Sequence, residues 1–178
     1  MAESAEITSF YLAPQDGGAL VSFAPGQYIG LHLVVNGQEI RRNYSLSAAP
    51  NGQDYRISVK RETGGVASNF LHDQIGEGDT LQVYPPAGDF VLADGDKPVV
   101  LISGGVGITP TLAMLDAALQ GTQPVHFIHF ARNHAIHAFR DAIEARQASH
   151  PQLQRFYVYD EHRDDAPAPH ATGRLDAA

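Results

Sequence analysis

Arg42-Asn43-Tyr44-Ser45 places a guanidinium, a phenol ring and a hydroxyl within four residues of a strand-like run. Side chains repeat every two residues along a strand, so Arg42 and Tyr44 share a face with Ser45 beside them. A guanidinium grips a diphosphate, a phenol packs on a flat ring, and a hydroxyl hydrogen-bonds a ring nitrogen. An ordinary Arg–Tyr pair on a sheet surface uses the same residues. Two glycine turns add to the pattern. Gly64-Gly65-Val66-Ala67-Ser68-Asn69 enters a helix with a hydroxyl at its cap. Gly104-Gly105-Val106-Gly107 follows the apolar run Pro98–Ile102, and Thr109 and Pro110 then suit a helix N-cap and a first helical position. Glycine clears the side chains that block an anion, and a helix start offers free N–H groups. Tight packing in an α/β sheet also produces such a turn. One turn in each half of the chain suits two bound nucleotides better than one.

The second turn reads Gly-x-Gly-x-x-Pro (Gly105, Gly107, Pro110), and no acidic residue closes the next strand to hold a ribose hydroxyl. Val125–Phe130 runs instead into Ala131-Arg132-Asn133, which disfavours a plain Rossmann dehydrogenase. Arg132 suits a ribose phosphate or a pairing with the neighbouring acidic loop.

The elements that must position these groups fall into two regions. From Glu6 to about Leu92 the apolar pattern is short and strand-like, punctuated by Asp16-Gly17-Gly18, Pro25-Gly26, Asn36-Gly37 and Asn51-Gly52. This predicts an antiparallel barrel or sandwich, interrupted by one helix over Ser68–Ile75. After Asp94-Gly95-Asp96-Lys97 the pattern becomes strand, helix, strand, helix, strand, with strands at 98–103, 125–130 and 153–159 and helices near 110–120 and 136–148. That alternation predicts a parallel sheet, three strands wide and buried on both faces, with right-handed crossovers. The tail 163–178 has no apolar period.

Composition narrows the function classes. A formal charge of −8 repels nucleic acid and anionic membranes. The absence of cysteine excludes disulfides and thiolate chemistry and fits a cytoplasmic location. The acidic opening Met1–Glu6 lacks the order of a secretory signal, and glycines and Pro110 break the apolar stretch 98–115, so no membrane span is expected. Among the histidines, His126 and His129 fall on opposite faces of a strand. His134 and His137 lack a cysteine or carboxylate cluster to complete a site. No metal site is expected.

In their order, RNYS (42–45), GGVAS (64–68), PPAGDF (85–90) and GGVGITP (104–110) resemble the ferredoxin–NADP reductase superfamily. Phe130-Ala131-Arg132-Asn133 followed by His137-Ala138-Phe139-Arg140-Asp141, with the opening Glu6–Leu12, is closer still to the reductase portion of bacterial flavohaemoglobins, the nitric oxide dioxygenases. The resemblance implies an antiparallel β-barrel flavin domain over 1–95. An α/β parallel-sheet nucleotide-binding domain would follow over 96–178, C-terminally incomplete. FAD would be the cofactor and NADH or NADPH the cosubstrate. By the same resemblance Arg42 holds the FAD diphosphate, Tyr44 packs on the isoalloxazine, and Ser45 hydrogen-bonds near flavin N5, making Tyr44 and Ser45 the groups at the reacting ring. Gly65, Val66 and Ser68 cradle the diphosphate, and Gly105, Gly107 and Thr109 receive the nicotinamide dinucleotide. The family's later Cys-Gly-Pro segment and a globin ahead of Glu6 are not in this sequence. Haem would belong to a separate globin domain, and complete nitric oxide dioxygenase activity is not expected of these residues alone. The expected function is that of an NAD(P)H:flavin oxidoreductase module passing electrons to a haem-globin domain or another acceptor. The alternative is a flavin-binding electron-transfer fragment unable to use NAD(P)H.

Overall fold

The computed structural model describes residues 1–162 and 164–174. The first lobe contains β1 (Ile7–Leu12), β2 (Tyr28–Val35), β3 (Gln38–Ser45), β4 (Tyr55–Lys60), helix α1 (Val66–Gln74) and the short β5 (Gln82–Val83). All its pairings are antiparallel: β1 with β4, and β3-β2-β5 as a second sheet, joined to the first by a bridge between Leu46 and Ile57. Asn36 and Gly37, at φ 51° and 78°, form the two-residue hairpin that Asn-Gly favours, and they fix Val35 opposite Gln38. Alternation then sends Ile29, Leu31, Leu33 and Val35 inward to meet Tyr55, Ile57 and Val59, with Leu71 of α1 closing the cluster.

The second lobe is a parallel sheet in the order β6 (Val99–Gly104), β7 (Val125–Ala131), β8 (Leu153–Tyr159), β9 (Ala171–Thr172). Helices α2 (Ile108–Ala118) and α3 (Arg140–Ser149) make the crossovers. The antiparallel lobe followed by a parallel α/β lobe is the predicted fold class, with four differences of detail. The sheet has a fourth strand: β9 arises in the tail that has no apolar period, because backbone bonds such as His170 N–H to Tyr157 O (2.9 Å) and Gly173 N–H to Tyr159 O (2.9 Å) hold it. Of the predicted tail, Arg163 and residues 175–178 lie outside the described residues. Helix α2 begins at Ile108, so Gly107 is its cap; Thr109 lies inside and donates to Val106 O at 3.0 Å. Likewise Gly65 caps α1, and Ser68 in the first turn accepts from Glu62 N–H (3.2 Å) and donates to Gly65 O (3.3 Å). Helix α3 begins at Arg140 rather than near 136, because Phe139 adopts φ 61° and interrupts the turn at His134–Ile136.

The fourth difference concerns the sheet faces. Leu101, Phe127 and Tyr157 are buried under the helices, whereas Val100, Ile102 and Phe156 on the other face are 55%, 59% and 43% exposed. Both crossovers step the same way across the sheet, and a fixed hand therefore puts both helices on one side. The lobes meet through the barrel's first strand, whose Ile7 packs into the apolar cluster of the second lobe. They also meet at Gly26 (φ 109°), where a Cβ would stand 2.2 Å from Phe90 O and 2.4 Å from Met114 Cε.

Candidate functional site

A cleft of about 450 Å³ opens where the barrel meets the parallel sheet. Its floor on the barrel side is the end of β3, with Arg42, Tyr44 and Ser45; Gly65, Val66 and Ser68 form a second wall at the start of α1. Gly107 and Thr109 close it from the other lobe. Gly105 lies just outside, in an adjoining cleft of about 490 Å³ lined also by Lys60, Val106 and Arg132. The nine residues singled out in the sequence thus border two adjoining clefts that share Lys60 and Val106.

Arg42 is exposed at the mouth, with Nη1 donating to Arg41 O at 2.8 Å. Tyr44 is half-buried; burial raises its phenol above the ordinary value of 10.0, against the lowering effect of the Arg42 charge. A neutral ring beside a fixed cation results. Helix α1 makes its first internal bond from Asn69 N–H to Gly65 O (3.1 Å), which leaves the amides of Val66, Ala67 and Ser68 without helical partners at the cleft wall. In the second lobe Gly105 sits at φ 52°, and a Cβ on Gly105 or Gly107 would project into open space. The two glycines therefore leave their backbone uncovered on either side of Val106, Gly105 towards the adjoining cleft and Gly107 towards the first, which suits close approach of a phosphate.

Several lining residues escaped the sequence reading, Ser58 and Lys60 among them. Ser58 and Lys60 of β4 lie on the face opposite Ile57 and Val59, and that face meets the cleft rather than solvent. The strict alternation of Tyr55–Lys60 was the available signal. Ser58 is 4% exposed and its Oγ is 2.7 Å from the hydroxyls of both Ser9 and Ser47. Lys60 Nζ lies 3.8 Å from Glu6 and 3.2 Å from Glu62. Arg132 pairs with Glu6 of the barrel, Nη2 to Oε1 at 2.6 Å, rather than with the acidic loop after β8.

The histidines divide as expected across β7: His129 is buried and His126 is on the opposite face. No group of three or more metal-ligating side chains exists among the described residues. No helix among the described residues is long and apolar enough to cross a membrane.

A barrel cleft with cation, ring and helix start, joined to a glycine turn at the carboxyl ends of parallel strands, fits a two-lobed binder of a flavin nucleotide and a pyridine dinucleotide. Residues 2–92 match the oxidoreductase FAD-binding domain and residues 101–178 the oxidoreductase NAD-binding domain, and the chain belongs to this family of FAD- and NAD-binding oxidoreductases. It is 65% identical over 176 residues to the flavohemoprotein of Burkholderia sp. (strain TH2), covering 99% of this chain and 45% of that protein. It is 63% identical over 162 residues to the flavohemoprotein of Pseudomonas aeruginosa, covering 91% and 41%. The chain therefore spans less than half the length of these relatives. The crystal structure of the flavohem-like FAD/NAD binding domain of nitric oxide dioxygenase from Vibrio cholerae superposes with a TM-score of 0.90 at 37% identity, over 99% of this chain and 76% of that one.

Proposed function

We propose that the chain is the reductase module of a flavohaemoglobin-type system, in which NAD(P)H reduces FAD and the electrons pass to a haem-globin domain or another acceptor. Residues 1–95 would hold the flavin and 96–178 the dinucleotide. The single observation that carries this reading is the convergence of Arg42, Tyr44 and Ser45, the start of α1, Gly107 and Thr109 around one cleft. Bound FAD supplies the hydride acceptor and releases electrons onward.

The chain's own residues bind and orient. Arg42 and the free amides of α1 would hold the flavin diphosphate, the first by charge and the second by oriented N–H groups. Tyr44, a neutral and half-buried phenol, would pack its ring against the flat flavin, and Ser45 would hydrogen-bond the ring edge near N5. Gly105, Gly107 and Thr109 would admit the dinucleotide because the two glycines place no side chain of their own at the turn. Hydride transfer demands no protein acid or base, so orientation is the main contribution of these residues.

A second reading has one observation in its favour: the open face of the parallel sheet at Val100, Ile102 and Phe156 suits a module that binds flavin but not pyridine nucleotide. Anaerobic titration separates the two. A yellow protein bleached by NADH or NADPH supports the reductase, and a yellow protein that stays yellow supports the electron-transfer fragment. A colourless preparation that takes up no FAD refutes both.

A further inference from the structure

Asn36 in the β2–β3 hairpin and Phe139 are the non-glycine residues at positive φ among the described residues. Asparagine tolerates that region, but a bulky aromatic does so only where its surroundings enforce it. At the cap of α3, glycine or asparagine would adopt φ 61° with less strain, and Phe139 makes no side-chain capping bond there. What the position retains is the ring. It is 4% exposed and lies under the guanidinium of Arg56, 5.4 Å from Cζ to centroid. Arg56 belongs to β4 of the barrel and Phe139 to the α/β lobe, so this contact bridges the two.

Each partner is anchored toward a cleft. Arg56 donates from Nε to Ser47 Oγ at 3.1 Å and from Nη2 to Ser47 O. Ser47 Oγ is 2.7 Å from Ser58 Oγ, which lines the cleft beside Tyr44 and Ser45. On the other side, His137 stands two residues before Phe139, with Nδ1 2.8 Å from the Tyr159 hydroxyl and its ring 4.5 Å from that of His129. His129 Nδ1 is 2.8 Å from Ser103 Oγ, and Ser103 immediately precedes the glycine turn. A path of contacts, part-buried at Arg56 and continued from Phe139 to His137 along the backbone, therefore runs from one cleft to the other and crosses between the lobes at Arg56 and Phe139.

We propose that Arg56 and Phe139 are positioning residues that fix the separation and angle between the barrel cleft and the glycine turn. This rests on the flavin–dinucleotide reading. The covalent link between the lobes, residues 93–98, is exposed throughout and cannot set that geometry. The Glu6–Arg132 pair is exposed and contributes little, and the packing of Ile7 and the approach of Met114 to Gly26 are apolar contacts without direction. An aromatic ring clamped under a guanidinium that is itself hydrogen-bonded is directional and resists sliding.

The absence of cysteine allows a direct test on the FAD-loaded full chain. Spin labels at Gln38→Cys on the barrel hairpin and Gln120→Cys beyond α2, both exposed positions, report the distance between lobes. Arg56→Met and Phe139→Leu are expected to broaden the distance distribution and slow anaerobic flavin reduction by about 100-fold, with FAD content and KM for NADH within about twofold. Arg56→Lys, which keeps a cation over the ring, is expected to recover at least about tenfold of that loss. An unchanged distance distribution, a reduction rate within about threefold of the parent, or loss of FAD from the variants would each overturn the proposal. Failure of the underlying reading looks different: the parent protein itself would not be reduced, while the distance measurement still reports on the contact.

Discussion

Acid is expected to unfold this protein through two histidines at the carboxyl ends of the parallel strands. Ser103, His129 and Tyr157 form a polar row in direct register across β6, β7 and β8, and His137 packs over it. His129 is 1% exposed and His137 4% exposed. Burial lowers His129 to about 4. Burial lowers His137 further still, helped by the charges of His129, Arg140, His134 and Arg155. Both folded-state values lie below the unfolded value near 6.5, so the unfolded chain binds more protons as pH falls from 6.5 toward 4. Stability from this source is fully present above pH 6.5 and declines below it, by about 1.4 kcal/mol per pH unit for each histidine. Between pH 7 and pH 5 the two together remove about 4 kcal/mol, a large part of the stability of an ordinary domain. Thermal unfolding over that interval is expected to shift down by roughly 10 °C. Replacing one titrating ring isolates the effect, and His129→Asn keeps a polar group near the Nδ1 position beside Ser103. Its midpoint is expected to fall about half as steeply with pH as that of the parent. Equal slopes in parent and variant would refute the reasoning.

Other perturbations address the clefts. Ser45→Ala is expected to slow flavin reduction in stopped flow by roughly tenfold while FAD affinity changes little, because in the proposed reading the hydroxyl would orient the ring while Arg42 and α1 would supply the binding. Glu6→Gln releases Arg132 and lightens the negative charge near Lys60, so the ratio of kcat/KM for NADPH over NADH is expected to rise about fivefold. An unchanged ratio would separate Arg132 from the dinucleotide. Gly26→Ala forces a Cβ against Phe90 O and the Met114 methyl at a strained φ, and should lower unfolding stability by roughly 3 kcal/mol. Gly105→Ala, where the Cβ meets open space, is expected to cost only about 1 kcal/mol of stability while raising KM for NADH and leaving FAD content intact.

The sequence displayed most of the elements because their signals are local. Alternation along Tyr28–Val35 and Tyr55–Lys60, the Asn36-Gly37 hairpin and the two glycine turns each follow from neighbours along the chain. Residues 42–45, 64–68 and 104–110 border adjoining clefts for the same reason: each motif carries its own backbone geometry. What stayed hidden was decided at a distance. Strand β9 exists only by pairing with β8, with no side-chain pattern to advertise it. Thr109 and Ser68 read as caps because hydroxyls usually cap, yet glycines start both helices and the hydroxyls bond backward to the turn. The partner of Arg132 is 126 residues away, so no reading of the β7–α3 loop could supply Glu6.

The bare face of the sheet follows from topology rather than from composition. A strand run such as Val99-Val100-Leu101-Ile102 is apolar at every position, which suits burial on both sides. Crossovers of one hand that advance in one direction can cover one side only, so alternate residues of an evenly apolar strand end in opposite environments: Leu101 at 6% exposed, Ile102 at 59%. The same constraint puts α2 and α3 on the side where Ile7 of the barrel enters the core. The glycine turn before α2, the Phe139 cap before α3 and the Arg132 end of β7 therefore all lie toward the barrel. The clefts stand between the lobes because the helix starts lie at the carboxyl ends of the parallel strands, and those ends meet β1, β3 and β4 of the barrel.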